Sequence, residues 1–150
     1  MKLILITPPT CFVEEDKIIT ALFEEGLDLL HLRKPDIAPM YAERLLTLIP
    51  EQYHKRIVVH ENFYLKDEYM LKGIHLNSRN PHIPDNYKGH ISHSCHTLEE
   101  VKECKKGCDY VFLSPVFDSI SKQSYHSNYT PEEIKKAYKA GIIDKKVIAL

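Results

Sequence analysis

One stretch decides the fold: it reads DYVFLSPVFDSISK and runs from Asp109 to Lys122. Its first half, Tyr110–Leu113, is aromatic, β-branched or aliphatic and carries no charge, which predicts a strand buried on both faces. Pro115 cannot donate to a sheet ladder, so we expect the strand to end at about Ser114. The second half places hydroxyl, N–H and ammonium donors in a short loop. Such a loop suits phosphate oxygens, and the alternative is a polar turn after a core strand.

Strands and helices alternate along the rest of the chain. We predict strands at 2–7, 27–33, 56–60, 73–76, 90–94, 109–114 and 146–150, and helices at 14–25, 39–49, 63–71, 97–106 and 130–140. Alternation with short loops is typical of βα units and a parallel sheet. A doubly wound sheet and a (β/α)₈ barrel both fit this order. No Gly-x-Gly-x-x-Gly turn follows the first strand, which weakens the dinucleotide-binding version of the doubly wound sheet.

Polar side chains gather where the predicted strands end: His31, Arg33, His60, Glu61, His75, Asn77, Ser94 and Ser119. A barrel has this distribution, because its site lies at the C-terminal face of the strands. We therefore expect a (β/α)₈ TIM barrel that forms a single domain over residues 1–150. A barrel of this kind needs about 200 residues or more, so we expect its C-terminal βα units to be missing from this chain.

Composition limits the partners of the protein. The chain has 150 residues, 27% of them charged, and a net charge of -1, which gives no electrostatic argument for nucleic acid or a membrane surface. The four cysteines match no zinc ribbon and follow no secretory signal, so we expect reduced thiols in a cytoplasmic protein. Histidines at positions 31, 60, 75, 93 and 96 suggest a metal cluster, but the motifs of zinc hydrolases are missing, which disfavours zinc hydrolysis.

The chain resembles the thiamine phosphate synthase and TenI superfamily of small (β/α)₈ barrels along essentially its whole length. The most specific match is the stretch 109–122, which is similar to the family pattern DYVGxGPIxxTxTK. Other motifs match in register: LIT at 5–7, LLHLRKP at 29–35, GIHLN at 73–77, SCHTLEEV at 94–101 and VIAL at 147–150.

The resemblance implies a coupling reaction on small-molecule substrates. An aminopyrimidine methyl diphosphate loses pyrophosphate, and the nitrogen of a thiazole phosphate attacks the resulting carbocation; Mg²⁺ and positive charge on the pyrophosphate favour this step. The residues implied as catalytic are Arg33, Lys122 and Ser94, and those implied as substrate-binding are His31, Lys34, His60, Ser119 and Ser121. Ser119, Ser121 and Lys122 occupy the family's Thr-x-Thr-Lys positions.

Departures from the family pattern leave alternatives open. The implied Mg²⁺ ligands are Glu61 and Asn80, of which Asn80 stands where the family has an aspartate. His31 replaces the family's glutamine and favours the TenI branch, which isomerises the thiazole, yet the histidine of that tautomerase is Pro115 here. A third interpretation is a catalytically silent barrel that binds thiazole or thiamine phosphates. A homo-oligomer is also left open.

Overall fold

The computed structural model of the protein describes residues 2–118 and 126–150. The chain divides into two compact units. The first comprises Met1–His75 with His82–Gly89, and the second comprises Leu76–Pro81 with His90–Leu150. The expectation of a single domain stays a prediction.

The first unit is a parallel sheet with helices between its strands. Its strands pair in chain order through registers that align Leu5 with Leu30, His31 with Val58, and Val58 with Gly73. A 3₁₀ helix over Glu51–Arg56 precedes the third strand. The elements are β1 (Ile4–Ile6), α1 (Glu15–Glu24), β2 (Leu29–Leu32), α2 (Pro39–Leu48), β3 (Ile57–Val59), α3 (Leu65–Glu68) and β4 (Gly73–Leu76), of which all but Leu76 lies in this unit.

The core of the first unit comes from apolar residues at helical spacing and from continuous apolar strands. In α1, Ile19 and Phe23 are buried one turn apart, as expected for the inner face of an amphipathic helix. Phe23 stacks on Tyr53 with ring centroids 4.8 Å apart. Gly26 follows α1 with φ +104°, a left-handed conformation that glycine adopts without steric cost. The helix therefore ends where the sequence predicts it to end.

The second unit is also a parallel sheet. Its register aligns Ser94 with Phe112, and Phe112 with Ile148. Its core is formed by Cys95, Val101, Cys108, Val111 and Leu113. The elements are β5 (His90–Cys95), α4 (Leu98–Cys104), β6 (Tyr110–Leu113), α5 (Pro131–Lys139) and β7 (Val147–Ala149).

The closed (β/α)₈ barrel expected from the sequence is wrong. The described strands number seven and follow the order β1 to β7, and among the described residues β1 is not paired with β7, so the parallel sheet is open. The barrel was inferred from polar residues at the C-terminal ends of strands. Open parallel sheets place their sites at the same ends, so this pattern does not distinguish an open sheet from a barrel. Within the described residues, no helix has the length and apolar character needed to cross a membrane.

Both helices of the second unit begin with a side-chain N-cap. In α5, Thr130 Oγ1 accepts from Glu133 N, and Glu133 Oε2 accepts from Thr130 N at 2.8 Å, which completes a capping box. In α4, Thr97 Oγ1 accepts from Glu100 N, while the Glu100 carboxylate accepts from His96 N instead. Each cap satisfies N–H groups that a helix start leaves without intrahelical partners.

Replacing Thr130 with alanine should lower the free energy of unfolding by about 1 kcal/mol. The variant loses the hydroxyl that accepts from Glu133 N at 3.2 Å and donates to the Glu133 carboxylate at 2.9 Å. Urea denaturation followed by circular dichroism measures the change. Thr47→Ala is the matched control, because Thr47 lies inside α2 and its hydroxyl donates to the Glu43 carbonyl, so this variant should be close to neutral.

The stability difference between Thr130→Ala and the unmodified chain should narrow at acid pH. The N–H and hydroxyl of Thr130 hold the pKa of the Glu133 carboxyl below its ordinary value. A carboxylate with a lowered pKa stabilises the fold above its unfolded-state pKa, and the effect is lost as pH falls through the folded-state pKa. Equal stability of the variant and the unmodified chain at neutral pH would contradict the assigned cap.

Candidate functional site

Arg33 follows β2 directly, and its backbone is fixed by one hydroxyl. Thr7 Oγ1 accepts from Arg33 N at 2.9 Å and donates to Arg33 O at 3.1 Å, and Thr7 is buried. The Arg33 side chain is half-buried. Its guanidinium makes no hydrogen bond or ion pair with residues 2–118 or 126–150. A fixed backbone with an uncommitted guanidinium gives a planar donor that can bind two oxygens of an anion.

Lys34 is buried and forms an ion pair with Glu15. Its Nζ lies 2.7 and 2.9 Å from the two carboxylate oxygens of Glu15, and both side chains are less than 5% exposed. The same ammonium donates to the carbonyls of Pro8 and Thr10 at 3.0 and 2.8 Å. Lys34 therefore joins the loop after β1, the first turn of α1 and the end of β2.

Glu61 connects the end of β3 to the end of β2. Its Oε2 accepts a hydrogen bond from Lys34 N at 2.9 Å, and the residue is half-buried. A carboxylate at this position is of the kind that Mg²⁺ takes as a ligand, because Mg²⁺ prefers oxygen donors and keeps several waters. Of the predicted site residues, the structure thus brings Glu61 together with Lys34.

Three buried histidines converge at the same end of the first unit. His31 in β2 is aligned with Val58 in β3. Val59 in β3 is aligned with Ile74 in β4, and His60 directly follows Val59. His60 is consequently level with His75 in β4, and all three side chains share one face of the sheet. His31 Nδ1 and His60 Nε2 form a hydrogen bond of 2.8 Å. The ring centroids are 5.0 Å apart for His31 and His60, 5.2 Å for His31 and His75, and 4.1 Å for His60 and His75.

Two predicted site residues lie in the second unit. Ser94 is in β5 and is half-buried. Asn80 closes a turn in which its N–H donates to the Asn77 carbonyl at 3.0 Å, while Asn77 N donates back to the Asn80 carbonyl at 3.2 Å. The amide oxygen of Asn80 is a donor type that Mg²⁺ accepts. Asn80 alone is therefore chemically compatible with Mg²⁺.

The predicted phosphate loop is described only at its two ends. Ser119, Ser121 and Lys122 lie outside the described residues. Before them, the Asp118 carboxylate accepts from Ser127 N at 2.8 Å, and Pro115 O accepts from Asn128 N at 3.2 Å.

Two cysteines of the second unit, Cys95 and Cys108, are buried thiols, and Cys104 is half-buried. Burial raises the pKa of Cys95 far above its ordinary value, and burial raises the pKa of Cys108 to about 11. His93, Cys95 and Cys104 lie close together, and His93 Nδ1 is 2.6 Å from the Ser94 carbonyl oxygen. Thiols with raised pKa values are poor nucleophiles at neutral pH.

Sequence reasoning missed two contributors to the first unit's site. Thr7 and Glu15 were not among the candidates, although they fix Arg33 and Lys34. His75 was named as a polar residue at a predicted strand end but received no role in the site. Its position beside His31 and His60 follows from that pattern, because neighbouring parallel strands bring such ends together.

The comparisons with known proteins agree on one family. A family model described as thiamine monophosphate synthase matches residues 3–150. The crystal structure of thiamine phosphate pyrophosphorylase from Bacteroides thetaiotaomicron is 64% identical, with a TM-score of 0.89, and the match covers 99% of this chain and 71% of that chain. Thiamine phosphate pyrophosphorylase from Pyrococcus furiosus is 17% identical, with a TM-score of 0.66 and coverage of 99% and 84%. At 17% identity the likeness concerns the fold alone. No curated protein matches the chain.

Proposed function

Because the chain belongs to the thiamine monophosphate synthase family and is an enzyme of the transferase class, we propose that it joins an aminopyrimidine methyl diphosphate to a thiazole phosphate. The single observation that carries this proposal is the state of Arg33. Its backbone is held by Thr7 at the end of β2, while its guanidinium is half-buried and uncommitted among the described residues. A diphosphate is the substrate group that such a guanidinium binds best, through two parallel N–H donors.

The proposed reaction exchanges one bond at the methylene carbon of the pyrimidine. The C–O bond to the diphosphate breaks and its electron pair leaves with pyrophosphate. The lone pair of the thiazole nitrogen then forms the new C–N bond. Arg33 stabilises the charge that develops on the leaving oxygens, and such fixed donors contribute most when they act in the transition state.

The other predicted residues have supporting roles in this proposal. Ser94 contacts the pyrimidine, and His31 and His60 orient the substrates. Ser119, Ser121 and Lys122 bind the diphosphate at the positions of the family motif. The Lys34 ammonium is engaged with Glu15, so we assign Lys34 to the positioning of Glu61 through its backbone N–H.

Mg²⁺ is the cofactor that fits this reaction, with Glu61 and Asn80 as its proposed protein ligands. When bound, the ion neutralises negative charge on the departing pyrophosphate. The two residues would offer it a carboxylate and an amide oxygen, which are ligand types that Mg²⁺ accepts.

The proposed function is tested by incubating the purified protein with both substrates and Mg²⁺. We expect thiamine phosphate and pyrophosphate to appear in equal amounts, and both to disappear when either substrate is left out or when EDTA is added. Product no greater than in a reaction without protein would overturn the proposal.

A second candidate is a thiazole tautomerase, and the hydrogen bond between His31 and His60 favours it. Two imidazoles in contact can pass a proton between them, which isomerisation of a thiazole requires. Incubation with the thiazole isomer alone separates the two functions, because only a tautomerase converts it without the pyrimidine. Calorimetric binding of thiazole phosphate without any turnover would instead indicate a silent binding protein. The cytoplasmic location and the homo-oligomer stay predictions.

A further inference from the structure

We propose that His31, His60 and His75 form a binding site for one divalent transition-metal ion, with Zn²⁺ as the best chemical match. This site goes beyond the proposed function, which assigns Mg²⁺ to oxygen donors elsewhere. Imidazole nitrogen suits zinc and its neighbours in the first transition row, whereas Mg²⁺ is a hard ion that takes oxygen. The three residues are therefore a separate kind of site from Glu61 and Asn80.

The sheet itself brings the three donors together. His31, His60 and His75 come from β2, the end of β3 and β4, which are consecutive parallel strands. Neighbouring strands lie about 4.8 Å apart. The register places His60 beside His75 on one face of the sheet. Arg33 is level with both of them, and His31 lies two residues before Arg33 on β2. The backbone of three hydrogen-bonded strands thus fixes the spacing of the side chains, and no mobile loop is needed to assemble them.

The donor atoms lie close enough to converge on a single ion once the rings rotate. One ring nitrogen from each histidine lies within 4.8 Å of the other two. With Zn–N distances of about 2.0–2.1 Å, tetrahedral geometry requires nitrogen separations of about 3.3 Å. The nitrogens of His31 and His60, now 2.8 Å apart, would separate by about 0.5 Å. Small rotations of the rings achieve this, since the ion replaces the hydrogen bond between them.

Burial also favours the ion. His31 and His75 are 0% exposed and His60 is 4% exposed, so packing holds the rings and little side-chain freedom is lost on binding. Three protein ligands leave a fourth coordination position for water or for an oxygen of a substrate, as in catalytic zinc sites.

Metal content is the first readout, and it is independent of synthase activity. The purified protein is treated with EDTA, loaded with Zn²⁺ and dialysed, and zinc is then measured by plasma mass spectrometry. We expect one equivalent of Zn²⁺ per chain. Zinc X-ray absorption on the loaded protein should give nitrogen and oxygen neighbours with the scattering pattern of imidazole. Co²⁺ loading should give the visible bands of a tetrahedral ion without sulfur charge-transfer bands.

Variants then locate the ion. His31→Gln and His75→Gln should each weaken Zn²⁺ binding at least about 10-fold. Removing only a residue that hydrogen-bonds to a metal ligand already lowers metal affinity 10- to 100-fold. The matched control is His54→Gln, since His54 is also buried in the first unit but contacts the backbone carbonyls of Leu46, Ile49 and Tyr69. It should retain one equivalent. Circular dichroism confirms that each variant is folded.

Three results would overturn the metal site. The first is no stoichiometric zinc on the unmodified chain, which would make the three rings a hydrogen-bonded part of the core. The second is equal zinc affinity in His31→Gln, His75→Gln and the unmodified chain. The third is sulfur coordination in the spectra, which would move the ion to Cys95 and Cys104. None of these results bears on product formation with Mg²⁺, so failure of this proposal and failure of the synthase proposal are distinguishable.

Discussion

Replacing Lys34 with methionine should lower the free energy of unfolding by about 3–5 kcal/mol, the usual cost of removing one partner of a buried ion pair. Methionine keeps most of the lysine stem, so the effect comes from loss of the ammonium, which pairs with Glu15 and donates to two backbone carbonyls. The Glu15 carboxylate would stay buried without its cation, although it now receives the ammonium at 2.7 and 2.9 Å. Urea denaturation followed by circular dichroism measures the loss.

Two further variants separate charge from packing. The double variant Glu15→Gln, Lys34→Met removes both charges and should recover a large part of the lost stability. Lys17→Met is the surface control, because the ion pair of Lys17 with Glu14 is more than half exposed and should contribute at most about 1 kcal/mol. A loss as small as that of the surface control in Lys34→Met would contradict the buried pair.

Replacing Arg33 with methionine should lower kcat/KM for thiamine phosphate formation by about 100- to 1000-fold, the range seen when a single donor to a developing negative charge is removed. Stability should change little, because the hydrogen bonds that Arg33 makes with Thr7 use its backbone N–H and carbonyl. The measurement is steady-state kinetics with both substrates in the presence of Mg²⁺.

Arg33→Lys tests whether the planar guanidinium matters as well as its charge. Lysine keeps the charge but cannot bind two oxygens with a fixed fork, so this variant should fall between the unmodified enzyme and Arg33→Met. Arg44→Met is the matched control, because Arg44 is an exposed arginine of α2 outside the proposed site and its loss should leave kcat/KM unchanged. Unaltered kinetics in Arg33→Met would remove Arg33 from the catalytic residues.

Local patterns predicted most of the elements. The strand expected at 109–114 is observed as Tyr110–Leu113. An uncharged run of β-branched and aromatic residues that ends at a proline is a strong local signal for a buried strand. The helix expected after Thr130 begins at Pro131, since a capping box and a proline at the first position act within a few residues. Sheet closure was not predictable in this way, because it depends on pairing between the first and last strands of a sheet.

The sequence predicted where the candidate site residues lie along the chain, but it did not predict which residues they contact. The sequence places His31, Arg33 and His60 at the ends of predicted strands. The sequence does not say that Lys34 meets Glu15, which lies nineteen residues earlier, because several acidic residues compete for that role. The meeting of His60 with His75 requires the register of β3 on β4, and a one-residue shift would send one of them to the opposite face.

The ion pair of Lys34 limits the positions at which this chain can be joined to a relative in a chimera. Lys34 follows β2 in the chain, but its ammonium neutralises the Glu15 carboxylate of α1 and also donates to carbonyls of the loop after β1. A chimera that took residues 1–25 from this chain and the remainder from a relative with no lysine at position 34 would bury an acid with nothing to neutralise it. In a chimera with such a relative, a functional crossover point therefore lies beyond residue 34.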